Sequence, residues 1–243
     1  MRLKANMKVQ EGVSLIIPIF NEEKTLENVI SRCSKQKEVK QIVVVNDGST
    51  DNTKKILNKL KSKLSKISIV NHPRNLGKGA AIKSGLRKAV GKYVMVQDAD
   101  LEYSPEEIIN LFEKAEKSPD GIVFGTRSHQ KKKGYLLAQL GNWYLNILFN
   151  FLFNLNLTDS YTCYKLIPKK IWQKIHLESD GFEIDSELVS KLGLNKCNIL
   201  EIPISYQPRK YSEGKKINWL DIIKATAVAF KVRLKNPKVD TLL

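Results

Sequence analysis

Asp98 and Asp100 stand one residue apart, just after the apolar run Tyr93-Val94-Met95-Val96. Two carboxylates at i and i+2, on a segment leaving an extended strand, can both reach one hard cation or its water shell. Oxygen donors with no histidine or thiolate beside them suit Mg²⁺ or Mn²⁺ better than Zn²⁺. An isolated Asp-x-Asp is more often a solvated acidic turn, so the chemistry depends on what arrives beside it. Three other polar sets also follow apolar runs: Asn21 and Glu22 after Pro18, Ile19 and Phe20; Asn46, Asp47, Gly48 and Ser49; and Thr126 with Arg127. In a parallel sheet such strand ends converge on one edge, where open α/β sheets hold ligands. The combination suits a nucleoside diphosphate. Asp98 and Asp100 would hold a cation that bridges two phosphates and neutralises a leaving diphosphate, while Asp47 accepts hydrogen bonds from a base or sugar hydroxyl. Gly77-Lys78-Gly79 is neither a Walker A loop nor a full dinucleotide fingerprint. A helix start carrying Lys78 can face phosphate or sugar; a plain tight turn accounts for the same residues equally well.

The elements that must position these groups follow from periodicity. Apolar, β-branched runs predict strands over 13–19, 41–45, 67–70, 93–97 and 121–125. Between them, apolar residues recur at helical spacing: Leu26, Val29, Ile30 and Cys33; Ile56, Leu57, Leu60 and Leu64; Ile82, Leu86, Ala89 and Val90; Ile108, Phe112 and Ala115. Ser104-Pro105-Glu106-Glu107 has the composition of a helix start. Strands alternating with helices at this spacing predict an α/β fold with a doubly wound, mostly parallel sheet and helices on both faces.

The second half breaks the rhythm. Residues 135–157 are long and apolar, with Asn142, Asn146, Asn150 and Asn154 at every fourth position, a single polar stripe on a helix. Lys131, Lys132 and Lys133 precede it. A helix lying in a membrane interface beside basic residues and an ordinary core or paired helix explain the stripe equally well. A helix near 183–192, a late strand over 199–206, a basic glycine-containing loop over 209–216 and a basic amphipathic helix over 219–234 complete the chain. The expected organisation is one domain over 12–217, followed by the C-terminal helix and tail over 218–243.

Lys plus Arg total 41 against 25 Asp plus Glu, a formal charge of +16. That balance suits a polyanionic partner: nucleic acid, an anionic membrane surface or a phosphorylated substrate. The positive charge is spread along the chain without the aromatic–basic interleaving of an RNA-binding motif, which argues against nucleic acid. Cys33, Cys163 and Cys197 have neither metal-site nor disulfide-framework spacing and fit a reducing cytosol. No uninterrupted apolar window of about 18 residues predicts a transmembrane helix, and the polar first twelve residues predict no cleavable signal.

Taken together, Pro18-Ile19-Phe20-Asn21-Glu22, Asn46-Asp47-Gly48-Ser49-Thr50-Asp51, Asn75-Leu76-Gly77-Lys78-Gly79, Asp98-Ala99-Asp100 and Gly125-Thr126-Arg127 resemble the ordered motifs of family 2 glycosyltransferases with the GT-A fold. Asp159-Ser160-Tyr161-Thr162-Cys163-Tyr164-Lys165 and the stretch from Tyr206 to Ile217 resemble the branch of dolichol-phosphate mannosyltransferases and bacterial polyprenyl-phosphate glycosyltransferases. The resemblance spans roughly residues 12–220. It implies a GT-A-type mixed sheet and transfer of a hexose (mannose or glucose), with inversion, from a nucleotide-sugar of the GDP-mannose or UDP-glucose class to a dolichyl or undecaprenyl phosphate. It implies that Phe20, Glu22 and Asp47 line the nucleotide site, with Pro18, Asn21, Asn46, Gly48, Gly77, Lys78 and Gly79 in the matching motifs. It implies that Asp98 and Asp100 bind Mg²⁺ or Mn²⁺, with Glu102 as a third ligand where relatives often carry Gln. Arg127, Arg209 and Lys215 would meet phosphates.

An acceptor phosphate is already an anionic nucleophile at neutral pH, so no strong base is demanded; cationic groups must instead offset repulsion between two anionic substrates. Asp159 is the most plausible additional carboxylate, as a base or as an orienter of Lys165 or Arg209; a capping or core ion-pair role accounts for it equally well. Relatives often carry C-terminal membrane helices. Without them, the expectation is a peripheral protein at the cytoplasmic face of a membrane. The competing readings are the same fold acting on a soluble or protein-linked glycan, and a basic nucleic-acid-binding protein.

Overall fold

A computed structural model describes residues 10–129, 136–208 and 219–235, with side chains from 139 in the second stretch and from 220 in the third. Lys131, Lys132, Lys133, Arg209 and Lys215 therefore lie outside the described residues. The expected alternation is present in the first half: β1 (Gln10–Ile19), α1 (Leu26–Lys35), β2 (Val39–Asn46), α2 (Thr53–Lys63), β3 (Ile67–Asn71), α3 (Lys78–Leu86), β4 (Gly91–Val96), a 3₁₀ turn, α4 (Ile108–Glu116) and β5 (Ile122–Thr126). Then come α5 (Leu136–Phe153), β6 (Lys165–Pro168), α6 (Lys169–Lys174), α7 (Ile184–Leu194), β7 (Ile199–Pro203) and α8 (Trp219–Lys235).

The seven described strands form one sheet in the order β3-β2-β1-β4-β6-β5-β7. β1 to β4 pair in parallel, as do β5 and β7, while β6 runs antiparallel between β4 and β5. The sheet is thus mixed. β6 and α6 carry no sequence signal: four residues ending in proline are too short to display alternation. The reversal matters for the site, because it is the first residue of β6, Lys165, that reaches the edge where the parallel strands end.

Register sets that edge. Ile19 pairs with Asn46 and Asn46 with Asn71, so β1, β2 and β3 stop level. Alternating side chains serve the two faces: Leu15, Ile17 and Ile19 pack with α1, α2 and α4, while Ile16, Val43, Val45, Val94 and Phe124 pack with α3 and α5 to α8.

Of the asparagine stripe, Asn146 and Asn150 turn to the chain's own backbone, while Asn154 lies past the end of α5 and is exposed. Asn146 and Asn150 Nδ2 both donate to the Leu157 carbonyl, Leu157 N donates to Asn150 Oδ1, and Ser160 N donates to Asn146 Oδ1. These two asparagines bind the returning 157–160 backbone and so deliver Asp159 to the sheet edge. α8 packs on α5 and α7, burying Ala225, Ala229 and Val232, with Ser186 Oγ donating to the Ala225 carbonyl at 2.7 Å.

Candidate active site

β4 ends beside Ile16 of β1, whose carbonyl accepts Gln97 N at 2.9 Å, and the chain then enters the acidic turn. Asp98 Oδ1 lies 2.9 Å from the ammonium of Lys78, the first residue of α3. Burial disfavours both charges, yet mutual attraction prevails: the Lys78 ammonium is held well above its usual pKa and the Asp98 carboxylate below its own. Lys78 is also 4.0 Å from Asp185 on α7, and Asp185 in turn accepts Lys165 Nζ at 2.8 Å. Lys165 Nζ further donates to the Thr162 carbonyl. Two ammonium groups and two carboxylates therefore alternate across α3, β4, β6 and α7.

Beyond Asp98 the backbone passes through the left-handed region at Leu101 (φ 60°), a conformation uncommon for a residue with a Cβ. The turn lets Asp100 Oδ1 accept Glu102 N at 3.2 Å and directs the Glu102 side chain inward, where Oε2 accepts the Tyr206 hydroxyl at 2.8 Å.

Asp47 is buried at the end of β2 and saturated with donors. Its Oδ1 accepts Leu76 N at 2.9 Å and lies 2.6 Å from His72 Nδ1; its Oδ2 accepts Gly77 N at 2.8 Å. His72 Nε2 is 2.9 Å from Ser84 Oγ. The carboxylate thus fixes the 72–77 loop. Gly48 (φ 73°) turns so close to that loop that a Cβ would come within 2.3 Å of the Arg74 backbone. Asn21 Oδ1 accepts Thr50 N, Asn21 N donates to Ser49 Oγ, and Glu22 N donates to Thr53 Oγ1. Asn46 Oδ1 accepts Ser49 N. These bonds tie the 20–23 and 46–53 turns into one unit, with Phe20 exposed at its edge.

The α3 N-terminus is not open as a phosphate cradle. Gly77 (φ 101°) and Gly79 permit close approach of the 179–181 backbone, and the Asp180 carbonyl accepts Ala80 N at 3.1 Å. Of this motif, the Lys78 side chain alone turns toward the acidic pair.

On the far side of the edge, Arg127 follows β5 and meets Asp159 bidentately: Nε to Oδ2 at 2.7 Å and Nη2 to Oδ1 at 2.8 Å. Arg127 N also donates to Oδ2. Nη1 donates to the Tyr103 hydroxyl at 3.2 Å, and the guanidinium lies 4.9 Å from the centre of the Tyr206 ring. Asp159 is itself anchored, since Asp159 N donates to Glu201 Oε1 at 2.9 Å. The partner of Asp159 is thus Arg127 and not Lys165, which pairs with Asp185. His72, Tyr103 and Asp185 lie in none of the quoted motifs, and Tyr206 opens the stretch that resembles the polyprenyl-phosphate branch without a role of its own there. His72 carries one further signal, as a polar residue just past a strand end.

Among the described residues no group of three or more His, Cys, Asp and Glu side chains is arranged to hold a metal by itself. Asp98, Asp100 and Glu102 have the all-oxygen chemistry that suits a hard divalent cation, with Asp98 engaged by Lys78 and Glu102 by Tyr206.

A mixed α/β sheet with an acidic turn after its fourth strand and an arginine–aspartate pair across the same edge is the arrangement expected of a GT-A-type glycosyltransferase. Residues 14–175 match the model of "Glycosyl transferase family 2", and the chain belongs to that family. It is 29% identical over 226 residues, covering 85% of this chain and 90% of the relative, to the UDP-N-acetylglucosamine–dolichyl-phosphate N-acetylglucosaminyltransferase of Methanococcus voltae. It is 30% identical over 193 residues (78% and 62%) to the prophage bactoprenol glucosyl transferase homolog of Escherichia coli K12. Among solved structures, glucosyl-3-phosphoglycerate synthase from Mycobacterium tuberculosis, in complex with Mn²⁺, UDP and its product, superposes with a TM-score of 0.68 at 18% identity, over 96% of this chain and 83% of that one. That likeness is one of fold.

Proposed function

We propose that the chain transfers a hexose from a nucleoside diphosphate sugar to a polyprenyl phosphate, with inversion at the anomeric carbon and with Mg²⁺ or Mn²⁺. The observation that carries this reading is the pairing of the Asp98–Asp100 turn with the Arg127–Asp159 clamp on one sheet edge. The relatives named for dolichyl phosphate and bactoprenol support the acceptor class. In this reading Pro18, Phe20, Asn21, Glu22 and Gly48 border the nucleoside on turns that the buried Asn46 and Asp47 hold in place, and the Lys78 side chain, not its flanking glycines, borders the sugar diphosphate. Asp98, Asp100 and Glu102 would hold the cation, which would offset negative charge on the departing diphosphate. An acceptor phosphate oxygen attacks the anomeric carbon as the bond from that carbon to the diphosphate breaks. The nucleophile is already an anion, so no proton has to be removed. Asp159 offsets much of the Arg127 charge and holds the guanidinium flat, so Arg127 would serve phosphate through directed N–H donors more than through net charge. Arg209 and Lys215 would add the positive field that two converging anions require.

An apolar face supports a lipid acceptor at a membrane surface. On α5, Leu140, Trp143, Ile147 and Phe151 are exposed at helical spacing; on the adjoining α8, Leu220, Ile223, Phe230 and Leu234 are exposed. Trp143 and Phe151 are 64% and 83% exposed, well beyond a stray surface apolar residue. No helix among the described residues is long and apolar enough to cross a membrane, so contact would be peripheral, at the cytoplasmic face. The test is incubation with Mn²⁺ or Mg²⁺, radiolabelled UDP-glucose, UDP-N-acetylglucosamine or GDP-mannose, and polyprenyl phosphate. A labelled lipid that disappears with Asp100→Ala is expected. Label appearing only on water-soluble acceptors would favour the soluble-glycan reading, and full activity of Asp100→Ala would sink the metal assignment.

A further inference from the structure

Tyr206 lies three residues beyond β7, where it forms an isolated antiparallel bridge with Tyr103, and Gln207 N donates to the Glu102 carbonyl at 2.9 Å. The backbone around Tyr206 is thereby stitched to the end of the acidic turn. The side chain then does two separate things. Its hydroxyl donates to Glu102 Oε2 at 2.8 Å. Its ring underlies the Arg127 guanidinium at 4.9 Å, the range in which an arginine gains from an aromatic face. Tyr103 completes the sleeve: its ring centre is 5.3 Å from that of Tyr206, and its hydroxyl accepts Arg127 Nη1 and Cys163 N.

One side chain therefore touches both halves of the charge system, the acidic turn on one side and the arginine–aspartate clamp on the other. A merely structural tyrosine would need neither contact: a ring packed against apolar neighbours fills space equally well, and each buried polar group drawn into a network must be fully satisfied to be tolerated. Groups that hydrogen-bond a ligating carboxylate orient it and tune its affinity for the ion. We propose that Tyr206 is a positioning residue for transfer, its hydroxyl fixing Glu102 toward the metal–diphosphate and its ring fixing Arg127 toward phosphate. This rests on the reading of the acidic turn as the cation site.

The two roles separate by substitution. Tyr206→Phe keeps the ring and deletes the hydroxyl, so the affinity for Mn²⁺, titrated calorimetrically in the presence of saturating UDP or GDP, should weaken about tenfold. Raising Mn²⁺ should restore turnover, which a folding defect would not allow. Tyr206→Leu should show the same Mn²⁺ loss and, in addition, a kcat lowered about tenfold at saturating Mn²⁺, because the guanidinium has lost its aromatic platform. Tyr103→Phe removes a hydrogen bond to Arg127 without touching Glu102; it should lower kcat and leave Mn²⁺ affinity unchanged. Thermal unfolding midpoints near that of the parent protein establish that each variant folds. Wild-type Mn²⁺ affinity in Tyr206→Phe, alongside a clear loss in Asp100→Ala, would overturn this inference and leave the cation site standing. Unchanged affinity in Asp100→Ala would remove the cation site and this inference with it.

Discussion

Arg127 and Asp159 form a bidentate charged contact on the sheet edge, with two side-chain bonds below 2.9 Å and a third from the Arg127 backbone. A planar guanidinium matches a carboxylate in a way that an ammonium does not. Arg127→Lys keeps the charge and loses the fork, so kcat/KM should fall by at least about tenfold, the scale of one lost charge-assisted bond. Asp159→Asn should cost a similar factor by releasing the guanidinium. Because each group works through the other, the double variant should be little worse than either single one; strictly multiplicative losses in steady-state kinetics would show that the two act independently. The carboxylates and the arginine were legible in the sequence because each is a polar residue interrupting an apolar run. Their partners were not. Asp47 meets His72, Leu76 and Gly77 across 25 to 30 residues, and Arg127 meets Asp159 across 32; no local spacing encodes such pairs. Lys78 shows the same limit: the lysine was visible beside its glycines, but its placement on Asp98 follows from α3 starting beside the end of β4.

At the scale of elements, sequence periodicity identified which segments are helices better than it identified what their polar faces meet. The α5 stripe reads equally as part of a membrane-interface helix or of a core or paired one, and in the fold its Asn146 and Asn150 amides bind the chain's own 157–160 backbone. Asn150→Ala leaves the Leu157 N–H without its partner and should destabilise the protein by about 1–3 kcal/mol in denaturant unfolding. α7 carries a comparable lock. Glu187 is buried and accepts Glu178 N, Ser179 N and the Lys191 ammonium. Burial opposes ionisation, but the Lys191 ammonium and those backbone donors outweigh it and hold the carboxyl at about 2. A depressed carboxyl contributes stability that is fully present above the unfolded value of about 4.3 and lost as pH falls through the folded value. The unfolding free energy should therefore decline between pH of about 4.5 and about 2. Glu187→Gln should be less stable at neutral pH and show a shallower decline; parallel pH profiles of the two proteins would refute the assignment. This lock holds the 178–181 segment, whose Asp180 carbonyl closes the α3 N-terminus, so its loss should also weaken nucleotide binding.

At the scale of the whole molecule, the +16 charge and the apolar face would act together in the proposed membrane contact. Lys224, Lys231, Arg233 and Lys235 are exposed along α8, beside Ile223, Phe230 and Leu234. Charge alone would give weak, salt-sensitive attachment to an anionic bilayer, at about 1 kcal/mol per basic residue near the surface. Apolar insertion adds a component that salt does not screen. Burying two large aromatic side chains is worth about 1.5–3 kcal/mol each, so Trp143 and Phe151 together represent a partitioning factor on the order of 10² to 10⁴. The charge excess was readable from composition, and the apolar residues of α5 from its sequence. Which of them stay exposed was not, because that depends on how α8 and α7 cover α5. Trp143→Asp combined with Phe151→Asp leaves the buried stripe and the sheet edge untouched. The variant should lose flotation with phosphatidylglycerol-rich vesicles at high salt and retain a residual, salt-sensitive association at low salt. Transfer to a short-chain, water-soluble prenyl phosphate should be preserved while transfer to a long-chain acceptor in vesicles falls. Undiminished flotation of the double variant at high salt would exclude this face as the membrane contact, and equal loss of activity on both acceptors would place the two aromatic residues in the catalytic machinery instead.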